Sequence, residues 1–237
     1  MVDIQEKLFH YRAEINRLDA TMQEALQQRF SMVKEIAALK PASELPLRLV
    51  REAQIMEARL DAHEPPLPLS TLWAIWREII GASSLQQRPF TVATLKAEPL
   101  ASLMARDMFG VEASLLQVST SLQLAEILLK GKMVAMVSPA IAMRLALQYQ
   151  GKLWVGGSFT GWRKGLQEEC WLLSSLAPEM AEKSLVLSAM PYEADNAENV
   201  LLPEEWLVTI NHIPYLVKLS DQSHGVLLGR WLPVFFE

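Results

Sequence analysis

The chain has 237 residues, 51% of them hydrophobic and 21% charged, with a formal net charge of −5. That length accommodates one large domain or two small ones, and the balance is that of an ordinary globular protein. It speaks against wholesale nucleic-acid binding, which asks for a basic surface, and no apolar run reaches the ~18–20 residues of a membrane helix.

One cysteine, Cys170, leaves no internal disulfide and no thiolate metal cluster to expect. The opening "MVDIQEKLFHYRAEINRLD" is charged from its third residue and lacks the apolar core of a signal peptide. A reducing, cytoplasmic setting is the expectation. Charge is uneven along the chain. Arg12, Arg17, Arg29, Arg48, Arg51, Arg59, Arg77 and Arg88 all lie in the first part, enough to serve a small acidic ligand.

In chain order, Ile4, Leu8, Tyr11, Ile15, Leu18, Met22, Leu26, Val33 and Ile36 recur at helical steps, with one turn skipped around Arg29. This predicts one long helix over roughly residues 3–40, ended by Pro41, which removes a backbone donor and restricts Lys40. A second helix is expected over about 48–63 and, after "EPPLPL", a third over about 70–87. So long a helix cannot bury its stripe against two short ones, and a second copy of the chain is the simplest partner. Leu72, Ile75, Ile79 and Ile80 are expected to face the core, with Trp73 and Trp76; His10 and His63 are expected at the surface.

Near residue 90 the texture changes. "FTVATL", "SLLQV" and "KMVAMVS" read as strands, alternating with helices over "PLASLMARDMFG", "TSLQLAEILLKG" (capped by Thr120 or Ser121) and "PAIAMRLALQYQG". Strand–helix alternation implies a mostly parallel sheet covered by helices. Further strands are expected at "CWLLSSL", "KSLVLSAM", "EWLVTI", "YLVKLS" and "GVLLGRWLPVFF", with "YEADNAENVLLPEE" as a loop. "GGSFTG" at 156–161 is too short and poorly placed for a nucleotide fingerprint. The fold class expected is α + α/β: a helical unit over 1–89, then an α/β domain over 90–237.

The chemistry-bearing residues lie on the helices. Arg29 and Lys40 are eleven residues apart; at ~100° per residue they share a face, about 16 Å apart along the axis. Arg12 lies ~25 Å from Arg29 on the same axis and points elsewhere. Arg51 and Glu52 open the second helix, and Ser83 and Gln87 share a face of the third at i and i+4. No Ser–His or Cys–His pairing accompanies them, so the pattern describes a cage for an anion without a nucleophile.

Residues 5–88 resemble the all-helical chorismate mutases. "RAEINRLD" (Arg12 to Asp19), Arg29, "AALK" ending at Lys40, "REAQIMEARL" from Arg51, and "REIIGASSLQQ" with Ser83 and Gln87 follow that family's order and approximate spacing. The resemblance implies a three-helix unit in an intertwined homodimer, with chorismate as substrate and no cofactor or metal. By it, Arg12 of the partner subunit and Arg29 clamp the two substrate carboxylates, and Arg51 and Ser83 support them. Lys40 and Gln87 donate to the ether oxygen, and Glu52 accepts from the ring hydroxyl. Arg48, also placed among the substrate-binding residues, stands where the family often has an acidic residue near the substrate hydroxyl, and the stretch from Lys40 to Arg51 is about one residue short. An isochorismate–pyruvate lyase uses a similar cage. A non-enzymatic regulator that binds a metabolite or a partner enzyme through residues 90–237 is the alternative of a different class.

More weakly, the second half is similar to the opening of a prephenate dehydratase domain in "FTVATLKAEPLASLMARDMFG" and "TSLQLAEILLKGKMVAMVSPA". The family's functional loops are replaced: "KAEP" follows the first strand, "VSPA" stands for the asparagine–serine loop, and "ECWLL" occupies the place of Thr-Arg-Phe. This implies no dehydratase activity. Residues 184–237 are expected to form a small strand-rich unit, similar to a regulatory amino-acid-binding domain. Cys170 is expected to be a small buried hydrophobe.

Overall fold

The computed structural model describes residues 4–41, 45–160 and 169–177, and the strand backbones at 185–191, 205–210, 213–220 and 226–231. Three helices come first: α1 (Ile4–Ala38), α2 (Leu49–Asp61) and α3 (Leu69–Gln87). Then follow β1 (Thr91–Leu95), α4 (Pro99–Phe109), β2 (Ser114–Val118), α5 (Ser121–Leu128), β3 (Met133–Val137), α6 (Pro139–Gln148), β4 (Trp154–Thr160) and β5 (Glu169–Ser174). The last strands are β6 (Leu185–Pro191), β7 (Glu205–Ile210), β8 (Ile213–Ser220) and β9 (Val226–Trp231). The fold is α + α/β: long helices lead, and an α/β region follows.

Local chemistry accounts for the element ends. Proline opens α4 and α6, where a missing N–H costs nothing. The Thr120 hydroxyl accepts from the Gln123 N–H and caps α5. Gly110 ends α4 at φ 80°, a left-handed value that a side chain disfavours. One strand was not anticipated, β4, because its Gly156 and Gly157 weaken the alternating pattern by which strands are read.

The described strands form one sheet in the order β2-β1-β3-β5-β4-β9-β6-β8-β7. β1 pairs in parallel with β2 and β3, as strand–helix alternation requires. From β3 to β5 to β4 the pairing is antiparallel, β4 and β9 run parallel, and β9, β6, β8 and β7 pair antiparallel. The sheet is therefore mixed, its parallel set concentrated at the end where helices connect the strands. The loop expected over "YEADNAENVLLPEE" lies almost wholly outside the described residues, as do His212 and His224.

Two apolar clusters cover the sheet. One gathers α5 and α6 over β1, β3 and β5, with Leu124, Leu128, Met143, Leu145 and Trp171 buried. The other gathers α4 with Val92, Val134, Met136, Cys170 and Leu172. Cys170 is buried there. Leu47 from before α2 is buried in this second cluster, and Leu45, Leu49 and Leu85 pack against it. The helical segment and the α/β region thus share a core.

The helices have little core of their own: a cluster of Met56, Trp73 and Ile80, with Ile55 and Trp76 against it. On α1 only Val33 is buried, while Ile4, Leu8, Tyr11, Ile15, Leu18, Met22 and Ile36 stay exposed. On α3 the expected core face is rotated. Ile80 is buried, but Ile75 is 41% exposed and Arg77 takes an inner position. His63, expected at the surface, is half-buried, its Nε2 2.6 Å from the Leu67 carbonyl oxygen. Among the described residues no helix is long and apolar enough to cross a membrane.

Candidate functional site

Two faces of α3 do different work. Trp76, Ser83 and Gln87 recur at i, i+7 and i+11, one stripe of the helix, and this stripe meets α1. The Ser83 hydroxyl donates to the Ile79 carbonyl one turn back, at 2.5 Å. Its lone pairs are thereby left for an external donor. That donor is Arg29 Nη1 on α1. The Arg29 guanidinium also lies 6.0 Å from the centre of the Trp76 ring, and Arg59 of α2 lies 5.5 Å from the same ring. Burial pushes the Arg29 pKa down from its ordinary value. It starts so high that the group stays cationic at neutral pH.

One turn beyond Ser83, Gln87 Oε1 accepts from Lys40 Nζ at 2.6 Å. Gln87 Nε2 leans back toward the Ser83 carbonyl at 3.4 Å, which sets the amide's orientation. Arg88 Nη1 donates to the Pro41 carbonyl at 2.6 Å and ties the end of α3 to the segment after α1. Beside Lys40 and Gln87 a cavity of about 10 Å³ is lined also by Ala37, Leu45, Pro46 and Arg88. Arg29 is thus met by a neutral hydroxyl and an indole face, and its positive charge remains available to an anion.

The other face of α3 meets α2 and α4. Arg77 Nη2 donates to Glu52 Oε2 at 2.9 Å in an ion pair whose two side chains are 3% and 8% exposed. Arg77 Nε and Nη2 both donate to the Met108 carbonyl at 3.2 Å, at the end of α4. The guanidinium also lies 5.8 Å from the Trp73 ring. Glu78 accepts from the Val111 N–H on both carboxylate oxygens, at 3.1 and 3.2 Å.

The expected site residues therefore separate into three groups. Arg29 on α1 and Lys40 just after it meet Ser83 and Gln87 on α3. Arg12, Arg48 and Arg51 are exposed, Arg12 far along α1 and the other two at the start of α2. Glu52 stands apart from both: its Oε2 accepts from Arg77 on the α4 side of α3, since a buried carboxylate needs a charged partner. From the sequence Arg77 counts only as one of several arginines and Trp76 only as core, and Glu78 has no expected role. The signal was present for Arg77, which shares a face with Trp73, Ile80 and Ser84. A charge inside an apolar stripe needs a buried partner.

In the α/β region, Glu98 of the "KAEP" stretch accepts from the Ser138 N–H at 3.1 Å and from the Ser138 hydroxyl, at the start of α6. A carboxylate of the chain itself thus meets the positive end of that helix. The two loops that depart from the dehydratase pattern are bonded to each other.

Residues 11–88 match the family model described as chorismate mutase type II. This segment is similar to that family, and the match does not extend into the α/β region. The match ends on Arg88, so it takes in α2, α3 and all of α1 from Tyr11 onward, with the Arg29–Ser83 and Lys40–Gln87 contacts inside it. The match supports mutase-type activity for the helical segment. No curated protein matches the chain. A solved structure titled "GqqA- a novel type of quorum quenching acylases" is similar at a TM-score of 0.43 and 10% identity, over 61% of this chain and 95% of its own. A likeness of that size carries no argument.

Proposed function

We propose that the chain is a chorismate mutase that converts chorismate to prephenate in aromatic amino-acid biosynthesis. Residues 1–89 act as the mutase unit and 90–237 as a region silent in catalysis. The observation that carries this reading is the pair of contacts made by α3, Ser83 with Arg29 of α1 and Gln87 with Lys40 just beyond the end of α1. They involve four residues that stand in the family's order.

The reaction suits such a site. Within one molecule the ether C–O bond breaks as a C–C bond forms, with no proton, electron or co-reactant exchanged. The protein has to hold the chair-like conformer and stabilise negative charge growing on the ether oxygen. Arg29 takes a substrate carboxylate through its planar fork, and Ser83 holds that fork in place. Lys40 donates to the ether oxygen. Gln87 donates beside it through Nε2, so its amide turns from the orientation in which Oε1 accepts from Lys40. Arg51 adds a cation from the start of α2. The ring-hydroxyl contact is not assigned to Glu52, whose carboxylate is engaged by Arg77.

The reading includes a homodimer, with Arg12 of the partner subunit entering the site, in a cytoplasmic setting. Two observations support the dimer. The apolar stripe of α1 is exposed from Ile4 to Met22. The cavity beside Lys40 and Gln87 is about 10 Å³ in a single chain. That is room for about one water, against the ~300–1,000 Å³ of ligand sites. Silence of the α/β region is supported by Glu98, which binds the start of α6 where an anionic substrate would otherwise be attracted.

The test is chorismate loss and prephenate formation by the full-length protein, compared with Lys40→Ala. Equal rates in the two end the assignment. Pyruvate release from isochorismate in place of prephenate formation transfers it to the lyase.

A further inference from the structure

The α/β region, though silent in the proposed chemistry, is fastened to the site's own helix. Three features lie along the α4 side of α3. Arg77 bridges Glu52 on α2 and the Met108 carbonyl. Glu78 holds the Val111 N–H and packs over Gly110, where an added Cβ would lie 2.6 Å from the Glu78 carboxylate. One turn on, Gly81 touches the end of α4 so closely that an added Cβ would lie 2.2 Å from the Phe109 carbonyl oxygen. That neighbour is backbone, which cannot swing aside as a side chain does. The separation of α3 from α4 is therefore set by the absence of a side chain at residue 81.

The segment after α1 is held in the same way. Leu45 and Pro46 line the small cavity beside Lys40 and Gln87, while Leu45, Leu47 and Leu49 pack in the core that α4 shares with the sheet. Both walls of the site, α3 with Ser83 and Gln87 and the segment behind Lys40, rest on the α/β region.

We propose that the C-terminal turn of α4, residues 108–111, is a positioning element for the mutase site, acting through Arg77 and Gly81 to set how far Ser83 and Gln87 stand from Arg29 and Lys40. This rests on the mutase reading for its kinetic consequence but not for its geometry. The distances between α1 and α3 decide whether donors reach the ether oxygen. A misplacement of ~1 Å from a change remote from the chemistry can lower a rate by about 10²-fold.

Gly81→Ala in the full-length protein is the sharpest test. It adds one methyl that must push α3 off the end of α4, and it alters none of the groups assigned to substrate. The expected result is a folded protein with native far-UV circular dichroism and chorismate turnover lower by about 10²-fold. Arg77→Lys keeps a cation for Glu52 but removes the fork that also reaches Met108. It is expected to lose kcat by about tenfold while KM changes less, since it disturbs alignment and not charge.

Hydrogen exchange gives a readout independent of the reaction. In Gly81→Ala the amides of residues 83–88 and 36–40 are expected to exchange faster than in the parent. Wild-type turnover in a folded Gly81→Ala overturns the proposal; if that variant does not fold, wild-type turnover in Arg77→Lys does so. If the parent has no activity on chorismate, the mutase reading fails alone. The positioning proposal then stands or falls on exchange at 83–88 in Gly81→Ala, or in Arg77→Lys if Gly81→Ala does not fold.

Discussion

The two regions of the molecule are held together by different means. The α/β region has apolar clusters on its sheet, with Val92, Ala93, Val134, Ala135 and Leu172 wholly buried. The helical segment has a buried cluster of three residues and leaves most of α1 exposed. Burying a Leu- or Ile-sized side chain contributes about 1.5–3 kcal/mol, so the first region is stabilised by its own interior. The second depends on polar ties between helices, on a seam with α4 and, in the proposed dimer, on another chain. The proposed cage needs this imbalance. Its inner groups must be polar and accessible to ligand, which leaves little space for a core, so the rigidity has to be supplied from outside.

Removing the seam's central charge is the strongest way to break that comparison. Arg77→Ala leaves Glu52 buried without its cation and is expected to destabilise the protein by about 3–5 kcal/mol in urea unfolding. Replacing both partners, Arg77→Met with Glu52→Leu, should recover most of that loss. If Arg77→Ala is as stable as the parent, the seam is not what holds the helices.

Next in size is Lys40→Ala, expected to lower kcat for chorismate by about 10²–10³-fold with melting temperature little changed. This separates the site's chemistry from its support. A smaller effect is expected for Leu18→Asp on the exposed face of α1. A charge set into an apolar contact should weaken dimerisation by at least about tenfold, judged from the burial lost, and sedimentation equilibrium reads it. A variant that associates as the parent does removes α1 from the dimer contact. Smallest is Thr120→Ala, which deletes the cap of α5. It should cost about 1 kcal/mol in the α/β region and leave chorismate turnover as it was. A loss of turnover there would mean that the whole sheet, and not the end of α4 alone, governs the site.

Much of this was legible in the residues. The long α1 follows from Ile4, Leu8, Tyr11, Ile15, Leu18 and Met22, and its end from Pro41, because helical period and proline act locally. The first parallel strands follow from the alternation of "FTVATL", "SLLQV" and "KMVAMVS" with capped helices. The contacts Arg29–Ser83 and Lys40–Gln87 join groups 54 and 47 residues apart. The four residues were singled out through family order and helix faces together, but that they bond to one another in these pairs was not foreseen. The rotation of α3 was not legible. Ile75 and Arg77 exchange the exposures their chemistry suggests, because Glu52 and the Met108 carbonyl form a polar recess on that side. The weak alternation of β4 and its bridging place between β5 and β9 were equally hidden.

The sequence by itself determined, β4 excepted, which segments are helix or strand, roughly where each ends, and which segments carry the cations, since these follow from side-chain period, capping and charge within a few residues. Only the tertiary structure decided that Glu52 answers to Arg77, that Gly81 lies against Phe109, and that the helical segment leans on the sheet. Those outcomes depend on how helices rotate and approach one another, and that is settled by the joint packing of groups far apart in the chain.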